Sequence, residues 1–201
     1  MNTELNTLND RITDFYEIWH KMGKDDSLVI KNDKLMEYLN TSGFFTAPAS
    51  TKYHGAYEGG LYDHSRIVAM RLHVLTLNND LQWERPDSPF IIGMFHDLCK
   101  CDQYKKVEGT LIDVGATQLE TPAGYHYEYN DKTILKGHGS KSVMILSQFI
   151  NLTEEELMCI RFHMGAYEKE EWAEFDQAIR KYPNVLWTHM ADMLASKVDN
   201  V

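Results

Sequence analysis

The sequence predicts a mostly α-helical protein, a bundle of seven to eight helices carrying a small inserted β-hairpin. Three observations carry this reading. Apolar residues recur at three- and four-residue steps through most of the 201 residues. Pro, Gly and capping residues separate those stretches. Between residues 104 and 136 the period shortens toward two, with glycines between the short runs.

Taken in order, Leu5, Leu8, Ile12, Phe15, Trp19 and Met22 form one apolar stripe, and Gly23 ends it. Residues 33–39 read as a short second helix with Leu35 and Leu39 inward. Residues 41–58 form a loop containing Pro48, and Gly59-Gly60 makes a sharp turn into a long helix bearing His64, Ile67, Val68, Arg71 and Leu75. Ser88-Pro89 supplies an N-cap followed by Pro at the first helical position. The helix that follows, from Phe90 to about Lys100, is apolar on all sides until His96-Asp97, the pattern of a helix buried in the middle of a domain. Strand character appears in residues 105–107, 110–112 and 125–129. Helices resume at Ser140, at the capping box Thr153-x-x-Glu156 (running to Met164), over residues 170–181 and over residues 184–198. The organisation predicted is one domain over 1–201, with an N-terminal helical extension over 1–50 and a β insertion over 104–136.

Composition narrows the functional classes. Lys and Arg number 20 against 30 Asp and Glu, a formal charge of −10. That balance argues against long nucleic acid and anionic membrane surfaces as partners, while a bound cation would still admit a small anion. Cys99, Cys101 and Cys159 are odd in number and fit neither a disulfide framework nor zinc-finger spacing, so reduced thiols and a cytoplasmic location are expected. The polar first residues offer no signal core, and no run of about 18 apolar residues is present to span a membrane.

The chemistry concentrates in His64, His96-Asp97, His138, His163 and Asp192. Each lies among apolar residues expected to face a core, where an aspartate is rarely buried unless paired or bound to a cation. Helices packed around one centre can deliver such groups to one point. Imidazole and carboxylate together suit divalent Mn, Fe, Co, Ni or Zn better than Ca.

In this order, and in the segments GGLYDHSRIV, IIGMFHDLCK, LKGHGSKSV, IRFHMGAYE and HMADMLASKV, the chain resembles the HD-domain metal-dependent phosphohydrolase superfamily over roughly residues 53–198. It is most similar to the HD domain of the 3′-5′ exoribonucleases of Gram-positive bacteria, without their OB-fold. The resemblance implies that His64, His96, Asp97 and Asp192 hold a divalent metal (Mn, Fe, Co, Ni or Mg) and that His138 and His163 extend the site to two metals per chain. It also implies that Lys100 lies near the phosphate. Cys99 stands where the family often has Gly, and Met164 where many members have a second His.

The expected activity is hydrolysis of a phosphoester in a nucleotide or related small phosphorylated substrate by metal-activated water. Asp97 would bridge two ions, and Lys100 would take phosphate charge. A 3′-5′ exonuclease on short single strands, a non-catalytic nucleotide-binding regulatory module and a metal oxygenase are the alternatives. His54 in the loop before the Gly-Gly turn and Arg66 after His64 are candidate phosphate contacts, the second also a candidate for an interhelical ion pair. His189 lies on the Asp192 face, as a positioning or core residue. His20, His73 and His126, the alternating Tyr125, Tyr127 and Tyr129, and the thiols of Cys99 and Cys101 read as structural or incidental.

Overall fold

The structure is a computed structural model describing all residues except 1–4, 6, 23–28, 30–31, 110–123, 136 and 167–168. The described residues form eight α-helices and one two-stranded antiparallel sheet. In chain order these are α1 (Leu8–Met22), α2 (Asp33–Thr41), α3 (Gly60–Asn78), α4 (Ser88–Phe95), a 3-10 turn (Leu98–Cys101), β1 (Tyr104–Glu108), β2 (Tyr125–Tyr129), α5 (Gly139–Leu146), α6 (Glu154–Arg161), α7 (Glu171–Lys181) and α8 (Asn184–Leu194). A π-helical turn (Ala195–Asp199) continues α8. The mostly helical class and the small hairpin are as the sequence predicts. No helix among the described residues is long and apolar enough to cross a membrane. The expected strand at 110–112, with Gly115, and the helix stop at Gly23 lie outside the described residues.

The centre of the molecule is α4. All eight of its residues are buried, which is why it has no polar face to show in sequence. It packs along α3 through Gly93, where an added Cβ would sit 2.4 Å from the Ala69 Cα. Helix backbones can approach this closely only over a residue without a side chain. Around the pair, Trp19 meets Phe90 edge-on at 4.6 Å, and Phe15 packs between Phe45 and Phe95. Residues of the N-terminal 50 thus join the same core as Leu61, Phe90 and Ile160.

Gly93→Ala tests this contact through its sign. In an ordinary helix interior the change stabilises by up to ~1 kcal/mol. Here it should destabilise by about 2 kcal/mol, lowering Tm by roughly 4–8 °C, because the new methyl must push α4 off α3. A thermal melt showing an unchanged or raised Tm would contradict the packing.

Several boundaries differ from the sequence reading, each for a local reason. Ser88 does not cap α4. Asp87 occupies the cap position, and the Ser88 hydroxyl donates to the buried Glu156 at 2.8 Å. Glu156 also pairs with Arg85 and completes the capping box with Thr153 that starts α6. The helix through His96 stops at Phe95 instead of reaching Lys100, and the chain turns there into the 3-10 segment. Helix α6 ends at Arg161, short of Met164. The last helix is α-helical only to Leu194 and then widens into the π turn. Leu8, placed on the apolar stripe of α1, is exposed. Along β2 burial falls off toward the strand's end: Tyr127 is buried and Tyr129 exposed.

Candidate metal centre

Five elements bring side chains to one buried point. His64 comes from the first turns of α3, which Gly59 at φ +87° allows to start tightly against the preceding loop. His96 caps the C-terminus of α4 and Asp97 follows it, at φ −110° and ψ 21°. Adjacent side chains on a helix diverge by ~100°. Because the helix ends here, both residues turn inward. Asp192 comes from α8, which packs on α3. His163 follows α6, and His138 precedes α5. These two are drawn together at Gly139, where a Cβ would lie 2.0 Å from the Arg161 carbonyl oxygen.

Second contacts decide which ring nitrogens face the centre. The Nδ1 of His96 is 2.8 Å from the Gly93 carbonyl, that of His163 is 2.7 Å from the Ile160 carbonyl, and that of His64 is 2.9 Å from the Val201 backbone oxygen. A backbone oxygen only accepts, so each Nδ1 carries a proton and each ring turns its Nε2 inward. His189 in turn donates from Nδ1 to the His163 carbonyl at 2.7 Å, fixing that segment.

The inward atoms crowd one another. His64 Nε2 is 3.3 Å from His96 Nε2, 3.0 Å from Asp192 Oδ1 and 3.6 Å from Asp97 Oδ2. His96 Nε2 is 3.4 Å from Asp97 Oδ2 and 4.0 Å from Asp192 Oδ1. Ligands at ~2.0–2.2 Å from a common ion are spaced ~3.0 Å apart in octahedral and ~3.4 Å in tetrahedral arrangement. The observed separations, the 4.0 Å pair apart, cluster at those values. Lone pairs facing lone pairs at this distance repel unless a cation or protons lie among them. The set therefore fits a divalent metal, and His64, His96 and Asp97 are buried together with atoms spaced for one ion.

No protein-family model, curated protein or solved structure matches the chain.

Asp97 divides the centre in two. Its Oδ2 faces His64 and His96, and its Oδ1 lies 3.4 Å from His163 Nε2 and 3.8 Å from Cys99 Sγ. His163 Nε2 is buried and makes no well-oriented hydrogen bond. Asp97, Cys99 and the half-buried His138 form a second group with metal-compatible spacing. Burial opposes ionisation of Asp97, yet Lys100 and the neighbouring His96 and His163 hold its carboxyl well below the usual range. For Asp192 burial is likewise outweighed, by a hydrogen bond and charge from His64. Both remain carboxylates.

The remaining predicted residues divide clearly. Lys100 is only 6% exposed, and its ammonium sits 2.7 Å from Asp97 Oδ2. Burial opposes its charge, but Asp97 more than compensates and raises its pKa. The nearby Asp102 pairs with Lys141 instead. His54 is half-buried, 5.1 Å ring to ring from His64, and lines a cleft of about 340 Å³ with Lys197 and Asn200. Burial, with the charges of His64 and Lys100, lowers its pKa to about 4. Arg66 is not brought to the centre. It points the other way around α3 and pairs with Asp14 of α1 at 2.9 Å, the interhelical ion pair. Reading from residues alone missed two groups. Cys99 reaches the centre because the 3-10 turn replaces the expected helix. The Val201 backbone oxygen reaches His64 because the π turn and the Arg71–Asp199 pair, 2.8 Å at Nε, bring the chain back over α3.

Proposed function

We propose that this chain is an HD-domain-like, metal-dependent phosphohydrolase acting on a nucleotide or a related small phosphoester. The observation that carries the reading is the buried set of His64, His96 and Asp97, spaced as ligands of one ion, with Asp192 3.0 Å from His64 Nε2 and three imidazole Nε2 atoms held inward by backbone acceptors. These four residues would hold a divalent cation. Asp97, His163 and His138 would hold a second. Metals so held supply a water of lowered pKa and counter-charge for phosphoryl oxygens.

The chain's own groups do the rest. Asp97 presents one oxygen to each side of the site. Lys100 keeps that carboxylate charged and oriented, and its ammonium has three protons, of which the Asp97 contact engages one. His54, neutral near pH 7, can donate to or accept from a substrate oxygen at the cleft mouth. A net charge of −10 supports a small substrate drawn in by a local cation in preference to a long polyanion.

The test is a phosphatase and phosphodiesterase screen with each of Mn²⁺, Co²⁺, Ni²⁺, Zn²⁺ and Mg²⁺, against nucleoside mono-, di- and triphosphates and a labelled oligonucleotide. Hydrolysis of a nucleotide in at least one metal is expected. Cleavage of the oligonucleotide alone would replace the substrate class with a single strand, and no hydrolysis in any metal would overturn the reading. In the active metal, Lys100→Ala should lower kcat/KM about ten- to a hundredfold, roughly 1.4–2.7 kcal/mol of barrier. Metal content should persist, since removing the ammonium leaves Asp97 free for the metal. Unchanged kinetics would take Lys100 out of the site.

A further inference from the structure

We propose that Cys99 is a thiolate ligand, making the Oδ1 side of Asp97 a sulfur-containing metal site that takes cobalt, zinc or ferrous iron in preference to magnesium. The inference rests on the reading of the centre as a metal site and goes beyond it by naming a ligand and a metal class.

Four observations support it. Cys99 Sγ lies 3.7 Å from His138 Nδ1 and 3.8 Å from Asp97 Oδ1. Sulfur at ~2.3 Å and nitrogen or oxygen at ~2.0–2.1 Å from one tetrahedral ion are ~3.6 Å apart, so both spacings match ligand edges. His163 Nε2, fully buried and without a hydrogen bond, points to the same Asp97 oxygen at 3.4 Å, again a ligand edge. The sulfur is also held in place, because the Cys99 backbone N–H donates to the Ser142 hydroxyl at 3.0 Å and ties the turn to α5, the helix that His138 precedes.

A thiol donating weakly to a carboxylate would account for the 3.8 Å contact alone. It leaves His163 Nε2 without a partner, and it gives no reason for an imidazole nitrogen, a carboxylate oxygen and a sulfur to share one buried corner. One metal ion among Asp97, Cys99 and His138 satisfies those three, and His163 Nε2 lies beside the same Asp97 oxygen. On binding, the metal–sulfur bond forms, the S–H bond breaks and its proton goes to buffer, with no change in oxidation state. Thiolate is a soft ligand that magnesium does not favour, whereas cobalt, zinc and ferrous iron accept it.

The experiment is a cobalt titration of the metal-free full chain, following the near-ultraviolet thiolate-to-cobalt charge-transfer band together with bound cobalt by equilibrium dialysis. The Cys101→Ser/Cys159→Ser double variant, in which Cys99 is the only cysteine, should give the band at full intensity. Cys99→Ser should bind one cobalt as before, lose the band, and bind the second at least about tenfold more weakly, the loss that removing even an outer partner causes at a metal site. A tenfold excess of magnesium should leave the band intact. Cobalt bound with no charge-transfer band in the double variant, or a band that survives in Cys99→Ser, would overturn the assignment of Cys99 and leave the metal centre standing. No bound cobalt at all would overturn both.

Discussion

Asp97→Asn is expected to abolish metal binding on both sides of the centre and to lower kcat/KM by at least about a thousandfold, roughly 4 kcal/mol of barrier. The amide keeps the shape of the carboxylate but not its charge, and one of its two inward atoms becomes an N–H donor facing imidazole lone pairs or Cys99. The same change strands Lys100, whose ammonium is buried against Asp97. Removing one member of a buried ion pair costs about 3–5 kcal/mol. The metal-free variant should therefore melt well below wild type. Asp97→Asn/Lys100→Met should recover much of that stability, because no charge is left unpaired, yet remain inactive and metal-free. Stability and metal content recovering together would show that Asp97 acts only through folding.

The acid behaviour of the metal-free protein follows from the same groups. Asp97 and Asp192 are held below the ordinary carboxylate pKa. Their contribution is fully present above the unfolded value of about 3.9 and is lost as pH falls through the depressed folded values. Asp97→Asn removes one such carboxylate, so its acid denaturation limb should be shallower than that of wild type.

The second large effect concerns the number of metals. His138→Ala/His163→Ala leaves His64, His96, Asp97 and Asp192 untouched, so one metal per chain should remain where wild type holds two. Activity should fall by about a hundredfold or more, since one of two counter-charges on the phosphoryl group is lost. The variant should still fold, at a cost of about 1–3 kcal/mol, because deleting His163 removes an unsatisfied Nε2 but also the Nδ1 donor to the Ile160 carbonyl. Unchanged stoichiometry with full activity in this variant would leave the four-residue set acting alone.

Much of this arrangement was legible in the sequence because it is written in short-range patterns. The apolar run of α4, the capping box at Thr153 and Glu156 and the Gly59-Gly60 turn are all local, and each appears in the structure at its position. The convergence of His64, His96, Asp97, His163 and Asp192 could be inferred from isolated polar residues within apolar stretches, because buried polar groups need partners and here they face one another. Tertiary events were not legible. Helix α4 stops one residue short of His96 with no Gly or Pro to mark the end, and that stop carries Cys99 into the centre. Arg66 sits two residues from His64, and only the angular spacing on α3 together with Asp14 of α1 determines that it faces away. The close contacts at Gly93 and Gly139 depend on which helices meet, which no local pattern encodes.

The most direct measurement is the metal content of the purified chain after chelation and reconstitution with Mn²⁺, Co²⁺, Ni²⁺ or Zn²⁺, determined by mass spectrometry for wild type and for His64→Ala/Asp192→Ala. The account predicts at least one tightly held ion per wild-type chain and loss of the ion bound by the four-residue set in the double variant. Tm should rise by roughly 8–16 °C when the metal is present at about a thousand times its dissociation constant, a linkage of ~4 kcal/mol. A wild-type chain that stays metal-free and keeps the same Tm in every metal would contradict it.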